Sequence, residues 1–256
     1  MNADTIMQGE DFKRCAAFHG HVCPGLSLGY RAAAAAMAWL RQNRSADEEL
    51  VAVVETDACS ADAVQVLTGC TFGKGNFIHK DYGKMALTLF SRTSGEGVRV
   101  VMRPGAFAPD EAHFALLQKV IRGEADADER QRFEELHLER SREMLEMPEE
   151  RLFILSPVAM APPPKARIDK SLPCACCGEP TMASKLQSLD GRQVCRGCLA
   201  DQIAARGLTP PRSLRRCRRR RQQMTYVREK HRCCRSTGPR GRAAVRCCGP
   251  RWRSRW

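Results

Sequence analysis

Two cysteine pairs, Cys174–Cys177 and Cys195–Cys198, constrain this chain more than any other feature. Each pair encloses two residues, and 17 residues separate the pairs. A two-residue spacing brings paired sulfurs within about 4 Å, and two such pairs supply the four thiolates of a tetrahedral Zn²⁺ ion. Such a site has no open coordination position and is therefore structural. Gly178 can take the positive φ of the knuckle after the first pair. The second pair leads into a short helix expected over Leu199–Arg206, whose first amides stabilise thiolate charge. Cys176 leaves an ambiguity, because Cys174 and Cys176 could also pair, and two redox CxxC motifs are the alternative to zinc. About 30 residues bury little core, so the metal contributes much of this module's folding free energy.

The body upstream is of another kind. Pro24 suits a first helical turn, where its missing N–H costs nothing. Residues 25–42 then read as a helix that the run Ala32–Ala36 favours and Gly29 weakens. So much alanine suits close packing against a sheet or a second copy of the chain. Leu50–Thr56 is β-branched and apolar, a buried strand, with a second helix expected at roughly 61–68. Residues 69–84 carry four glycines and no periodicity, which predicts an ordered loop. Met85–Ser91 and Gly97–Met102 form a hairpin; Pro109–Asp110 open a helix to Arg122; 125–147 is a longer charged helix; Leu152–Val158 is a final strand. The elements cluster without regular alternation, so the fold class is α+β, with helices on a mainly antiparallel sheet. The expected organisation is a core domain over 1–160, a proline-rich linker over 161–173, a cysteine module over 174–206 and a tail over 211–256.

Phe18–His19–Gly20–His21–Val22–Cys23–Pro24–Gly25 places two imidazoles and a thiol at a helix start. Orphan N–H groups there favour the Cys23 thiolate. Cys59 and Asp62 follow the strand at a second helix start. If both helix beginnings converge, His19, His21, Cys23, Cys59 and Asp62 become candidate ligands of one ion, with Zn²⁺ or Fe²⁺ suited to the nitrogen–sulfur set. The other reading is a hydrogen-bonded structural histidine beside buried cysteines. Cys23 and Cys59 are candidate catalytic residues, whether through Lewis-acid activation or thiolate redox chemistry. Gly69–Gly75 resembles a phosphate loop but is one residue short and has Gly75 where Ser or Thr belongs, which excludes nucleotide hydrolysis of that type. Lys74 remains a candidate for holding a substrate carboxylate or phosphate.

The formal charge of +13 misdescribes the body. Residues 1–160 carry 18 Lys/Arg against 24 Asp/Glu, whereas 211–256 carry 17 against one, Glu229. That tail reads either as a basic arm for nucleic acid or as out-of-frame translation of GC-rich DNA. Its arginine almost without lysine and its two Cys–Cys pairs favour the second. No secretory signal is visible, and the longest uncharged apolar run, Ala32–Leu40, is about half of a membrane span. A cytoplasmic protein without membrane association is expected, its cysteines thiols or ligands.

Taken in order, the 18–25 block, Leu28–Gly29–Tyr30–Arg31, Glu55–Thr56–Asp57 with Cys59 and Asp62, Gln65–Asn76, and Asp81–Tyr82–Gly83–Lys84 closely resemble the formylmethanofuran dehydrogenase E-subunit family over about residues 12–160. The resemblance implies a usually dimeric α+β core with a metal or active site at His21, Cys23 and Cys59, with His19 and Asp62 beside them. It also implies a treble-clef zinc finger after the core, ligated by Cys174, Cys177, Cys195 and Cys198. The family name implies a partner of a molybdenum- or tungsten-dependent complex in one-carbon redox metabolism. No molybdopterin or ferredoxin pattern is visible, so this chain is not expected to carry the redox step alone. A structural adaptor, dimerising through the alanine-rich helix, and a nucleic-acid-binding zinc-finger protein are the competing expectations.

Overall fold

The computed structural model describes residues 2–107 and 110–205; Pro109, Arg206 and the basic tail, with the two readings attached to it, lie outside the described residues. The chain divides into two compact units at Arg167/Ile168. In the first, the helices α1 (Ala3–Gln8), α2 (Glu10–His19), α3 (Pro24–Leu40) and α4 (Ser60–Thr68) accompany β1 (Leu50–Val54), β2 (Phe77–His79), β3 (Ala86–Ser91) and β4 (Gly97–Met102). The helices α5 (Glu111–Arg122), α6 (Ala127–Glu146) and α7 (Glu149–Leu152) then lead to β5 (Phe153–Pro157).

One five-stranded sheet has the order β2-β1-β3-β4-β5. The β1–β2 pair is parallel and the other three pairs are antiparallel, so the α+β expectation holds. Alternation sorts the strands by face. Leu50, Ala52, Val54, Leu87, Leu89, Val98 and Val100 join the main core with α3 and α4, while Val51, Val53 and Phe90 form a smaller cluster on the opposite face.

α3 is the buried spine of this unit. Pro24 occupies its first turn, and Ala32, Ala33, Ala35 and Ala36 are all buried within the unit. Packing inside the fold, one of the two settings that suit an alanine-rich helix, accounts for these four alanines. Gly29 explains how close the packing is. A Cβ there would lie 2.4 Å from the Ser60 carbonyl oxygen, so the absence of a side chain lets α4 cross α3 backbone to backbone. The glycine that weakens helix propensity is the one the tertiary contact requires.

Two expectations change. The stretch read as loop contains β2, three residues long and too short for a periodic signal; Phe77 is buried and pairs in register with Ala52. Asn76 anchors its entry by donating from Nδ2 to the carbonyls of Asp47 (3.1 Å) and Leu50 (3.0 Å). The sequence also suggests nothing before Pro24, where α1 and α2 lie. The signal for α2 is the Phe12, Cys15, Ala16 spacing, which puts Phe12 and Cys15 inward, Phe12 edge-on to Tyr30 at 5.2 Å.

The second unit begins in what the sequence suggests is linker. Ser171–Pro173 forms β6, paired with β7 (Pro180–Met182). The hairpin β8 (Gln187–Leu189) and β9 (Arg192–Val194) follows, then α8 (Arg196–Ala205). Knuckle, hairpin and helix succeed one another as in a treble clef. Cys174, Leu186, Val194 and Cys198 make its small buried cluster. No helix among the described residues is long and apolar enough to cross a membrane.

Candidate functional site

In the second unit the sulfurs of Cys174, Cys177, Cys195 and Cys198 all lie within 4.8 Å of one another. Gly178 has the expected positive φ, +75°, and its N–H donates to the Cys174 carbonyl at 2.9 Å. Sulfur-directed amides surround the cluster: the N–H groups of Cys195 (3.1 Å) and Cys176 (3.4 Å) donate to Cys174 Sγ, and that of Cys198 to Cys195 Sγ (3.4 Å). Burial raises the Cys174 thiol, but the amides of Cys177, Cys195 and Cys176 outweigh it and bring it to about 6. Cys176 is exposed and its sulfur accepts from Gln202 Nε2 at 3.6 Å, whereas the sulfur of Cys177 falls within the group of four. α8 starts three residues before the expected Leu199, so Cys198 lies in its first turn.

In the first unit two helix beginnings do converge. Cys23 is the N-cap of α3 with extended backbone (φ −146°, ψ 162°), and its Sγ accepts the Leu26 N–H at 3.2 Å. Cys59 holds the equivalent position before α4. A Cβ on Gly25 would stand 3.1 Å from Cys59 Cβ, 3.7 Å from Cys59 Sγ and 3.9 Å from Cys23 Sγ, so this glycine leaves room for both sulfurs. The two cysteines share a side-chain hydrogen bond, which with burial pushes the Cys23 thiol up. The same bond draws Cys59 down to about 5, against burial and with help from His19.

His19 closes the arrangement. Its Nε2 lies 3.6 Å from Cys23 Sγ and its Nδ1 lies 2.8 Å from Asp62 Oδ2. Donor atoms of His19, His21 and Cys23 fall within 4.8 Å of one another. The His19 and His21 rings stand 4.6 Å apart by centroid, with His21 exposed. Asp62, expected among the ligands, instead holds the far nitrogen of His19. A carboxylate there fixes ring orientation and tautomer, leaving the other nitrogen for an ion. The donors are imidazole and thiol. It is Cys59, and not Cys23 as its helix start suggests, that is drawn toward thiolate, because the contact between the two sulfurs outweighs the amides at Cys23. This set fits a borderline-soft divalent cation.

Residues 18–154, more than half of the chain, match the family model described as "FmdE, Molybdenum formylmethanofuran dehydrogenase operon". This chain belongs to the FmdE family. The FmdE match opens at Phe18 and spans His19, His21, Cys23, Cys59 and Asp62, while the four-cysteine unit lies beyond it. A relative named "Probable S-adenosyl-L-methionine-binding protein", from Archaeoglobus fulgidus, is 35% identical over 201 residues. The alignment covers 76% of this chain and 54% of that relative, so the chain spans about half of the relative's length. A solved FmdE-like protein of tungsten formylmethanofuran dehydrogenase type, from Syntrophus aciditrophicus, is 26% identical, covering 78% of this chain and 92% of its own, at TM-score 0.49.

Within this FmdE core, Lys74 does not join the cluster. Its ammonium donates to the carbonyls of Ala46 (3.3 Å) and Asp47 (3.0 Å), which precede β1, whereas Cys59 follows the opposite end of that strand. The Gly69–Gly75 segment is thus tied to the far edge of the fold from Cys23. Tyr82 and Lys84 lie at the nearer end, but their backbone N–H groups cap the Glu55 carbonyl, at 3.3 and 3.0 Å. Cys15 and Cys70 are buried, and burial raises both thiols, as expected of structural cysteines. One FmdE-domain residue the sequence does not single out is His137, an isolated histidine in a charged helix with no spacing to mark it. Only folding brings it within electrostatic reach of His21.

Proposed function

We propose that this FmdE-family chain is a two-metal protein of one-carbon redox metabolism. Its core site takes one Zn²⁺ or Fe²⁺ ion, and its finger takes a structural Zn²⁺. The observation that carries this reading is the His19–Asp62 contact, which turns His19 Nε2 toward Cys23. In this reading His19, His21 and Cys23 are core ligands and Cys59 completes the set through its contacts with Cys23 and His19. A bound ion would supply Lewis-acid polarisation of a carbonyl or water in any coordination position left open. The protein's own part is to hold the thiols at two helix N-termini and to fix the His19 tautomer through Asp62. Exposed His21 faces the solvent from which a substrate arrives. The finger, closed and four-sulfur, is structural. The chain acts with a larger redox complex in this reading, and as a homodimer.

Metal counting on the purified full chain tests the proposal. Two ions per chain are expected in wild-type protein and one in Cys59→Ser. One ion in the wild type refutes the core site, and two in Cys59→Ser refute the role of Cys59. The shared Cys23–Cys59 hydrogen bond favours a second reading, a dithiol pair that a disulfide oxidant converts to a disulfide. Metal-free protein losing two hydrogens between these two residues under a glutathione disulfide buffer would support it. S-adenosyl-L-methionine, the ligand in the relative's name, is the first small molecule to titrate against the loaded chain.

A further inference from the structure

α5 and α6 fold back on each other as a hairpin whose inner contacts are not those of ordinary core. α5 is amphipathic, yet its buried residue is a histidine, His113, while Phe114 and Ile121 remain 54% and 69% exposed. His113 Nε2 lies 2.9 Å from His137 Nδ1 on α6. Phe133 stacks parallel to the His113 ring at 5.5 Å between centroids and leans on His137 at 4.7 Å. Burying His113 and half-burying His137 costs free energy that apolar side chains of similar size would not incur.

Each histidine has a second neighbourhood. His137, Ser141 and Leu145 form one stripe of α6, four residues apart; Leu145 is fully buried in a cluster that Val22 packs against. The residue before Val22 is His21. Burial, His113 and His21, in that order, lower His137 to about 4. On the other side, His113 joins Phe107, Asp110, Phe114, Leu117 and Arg140 around a cleft of about 410 Å³, a size within the range of small-ligand sites. The Arg140 guanidinium lies 4.8 Å from the Phe107 ring centroid, and Asp110 Oδ1 accepts the His113 backbone N–H at 3.0 Å. The cleft therefore has aromatic and aliphatic walls from Phe107, Phe114 and Leu117, and a polar edge made of the His113 imidazole with Asp110 and Arg140. In a pair of neutral imidazoles one ring donates and the other accepts, so a ligand that fixes the tautomer of His113 also fixes that of His137.

We propose that this cleft binds a small planar aromatic ligand, with His113 at its wall and His137 hydrogen-bonded behind it. Phe107, Phe114 and Leu117 supply the ring contacts.

The test uses the full chain and 1-anilinonaphthalene-8-sulfonate as the probe. Saturable fluorescence enhancement is expected, weakened about tenfold in affinity by Phe114→Ser, the loss of one aromatic contact. Ile121→Ser, on the same helix but outside the cleft, leaves it unchanged; both side chains are largely exposed, so neither variant threatens the fold. Wild-type affinity in Phe114→Ser, or an equal loss in Ile121→Ser, overturns the pocket.

Discussion

Gly29→Ala puts the close crossing of α3 and α4 under direct test. The added Cβ would stand 2.4 Å from the Ser60 carbonyl oxygen, 2.5 Å from its Cα and 2.8 Å from its carbonyl carbon. All three are backbone atoms, so no side chain can swing aside. Restoring ordinary contact at about 3.5 Å requires the two helices to separate by about 1 Å. Overpacking on this scale costs about 1–3 kcal/mol. Alanine in place of glycine in a helix interior returns about 1 kcal/mol. A net loss of up to about 2 kcal/mol follows, which lowers a urea midpoint by up to about 1 M at a slope of about 2 kcal/mol/M. The effect reaches the site as well, because Ser60 adjoins Cys59, and moving α4 draws that sulfur away from Cys23. Core-metal affinity should therefore fall while finger-metal affinity stays constant. Far-UV circular dichroism in urea and a chelator competition on the same protein measure both. A midpoint at or above wild type would show that helix propensity dominates and that the crossing has slack, which refutes the reasoning.

Three further outcomes are expected. Asp62→Asn should weaken core-metal binding about 10–100-fold, as removal of a histidine-orienting carboxylate does elsewhere; unchanged competition with a chelator would place Asp62 outside the site's support. Cys176→Ser should leave the finger metal in place and Cys177→Ser should release it, read by metal content, and the reverse result would reassign the ligand. Because His137 is held at about 4 in the folded chain and titrates near 6.5 when unfolded, the unfolded state binds more protons between those values. The stability of the hairpin is then complete above pH 6.5 and falls as pH drops toward 4. Thermal melts at pH 7 and pH 5 should show this loss in wild type and a smaller one in His137→Gln; equal losses would show that His137 is not the group responsible.

Much of the site is legible in the sequence because its signals are local. The CxxC spacings, the glycine after Cys177 and the proline after Cys23 each act through the few residues around them, and the structure places all three as expected. Lys74 misleads for the same reason: a glycine-rich neighbourhood says nothing about which end of β1 the loop reaches, and its ammonium is held at the end remote from Cys59. β2 escapes notice because three residues carry no period, and α2 because one inward turn marked by Phe12 and Cys15 is a faint pattern beside the alanine run of α3.

By itself, the sequence determined which donors exist and where helices can start, since thiols, imidazoles, prolines and caps act over distances of a few residues. Only the tertiary structure decided that Cys23 meets Cys59, that Asp62 holds His19, and that His113 meets His137. Those encounters join residues dozens of positions apart in the chain. They depend on how closely two helices can pack, which at Gly29 is set by the absence of a single carbon atom.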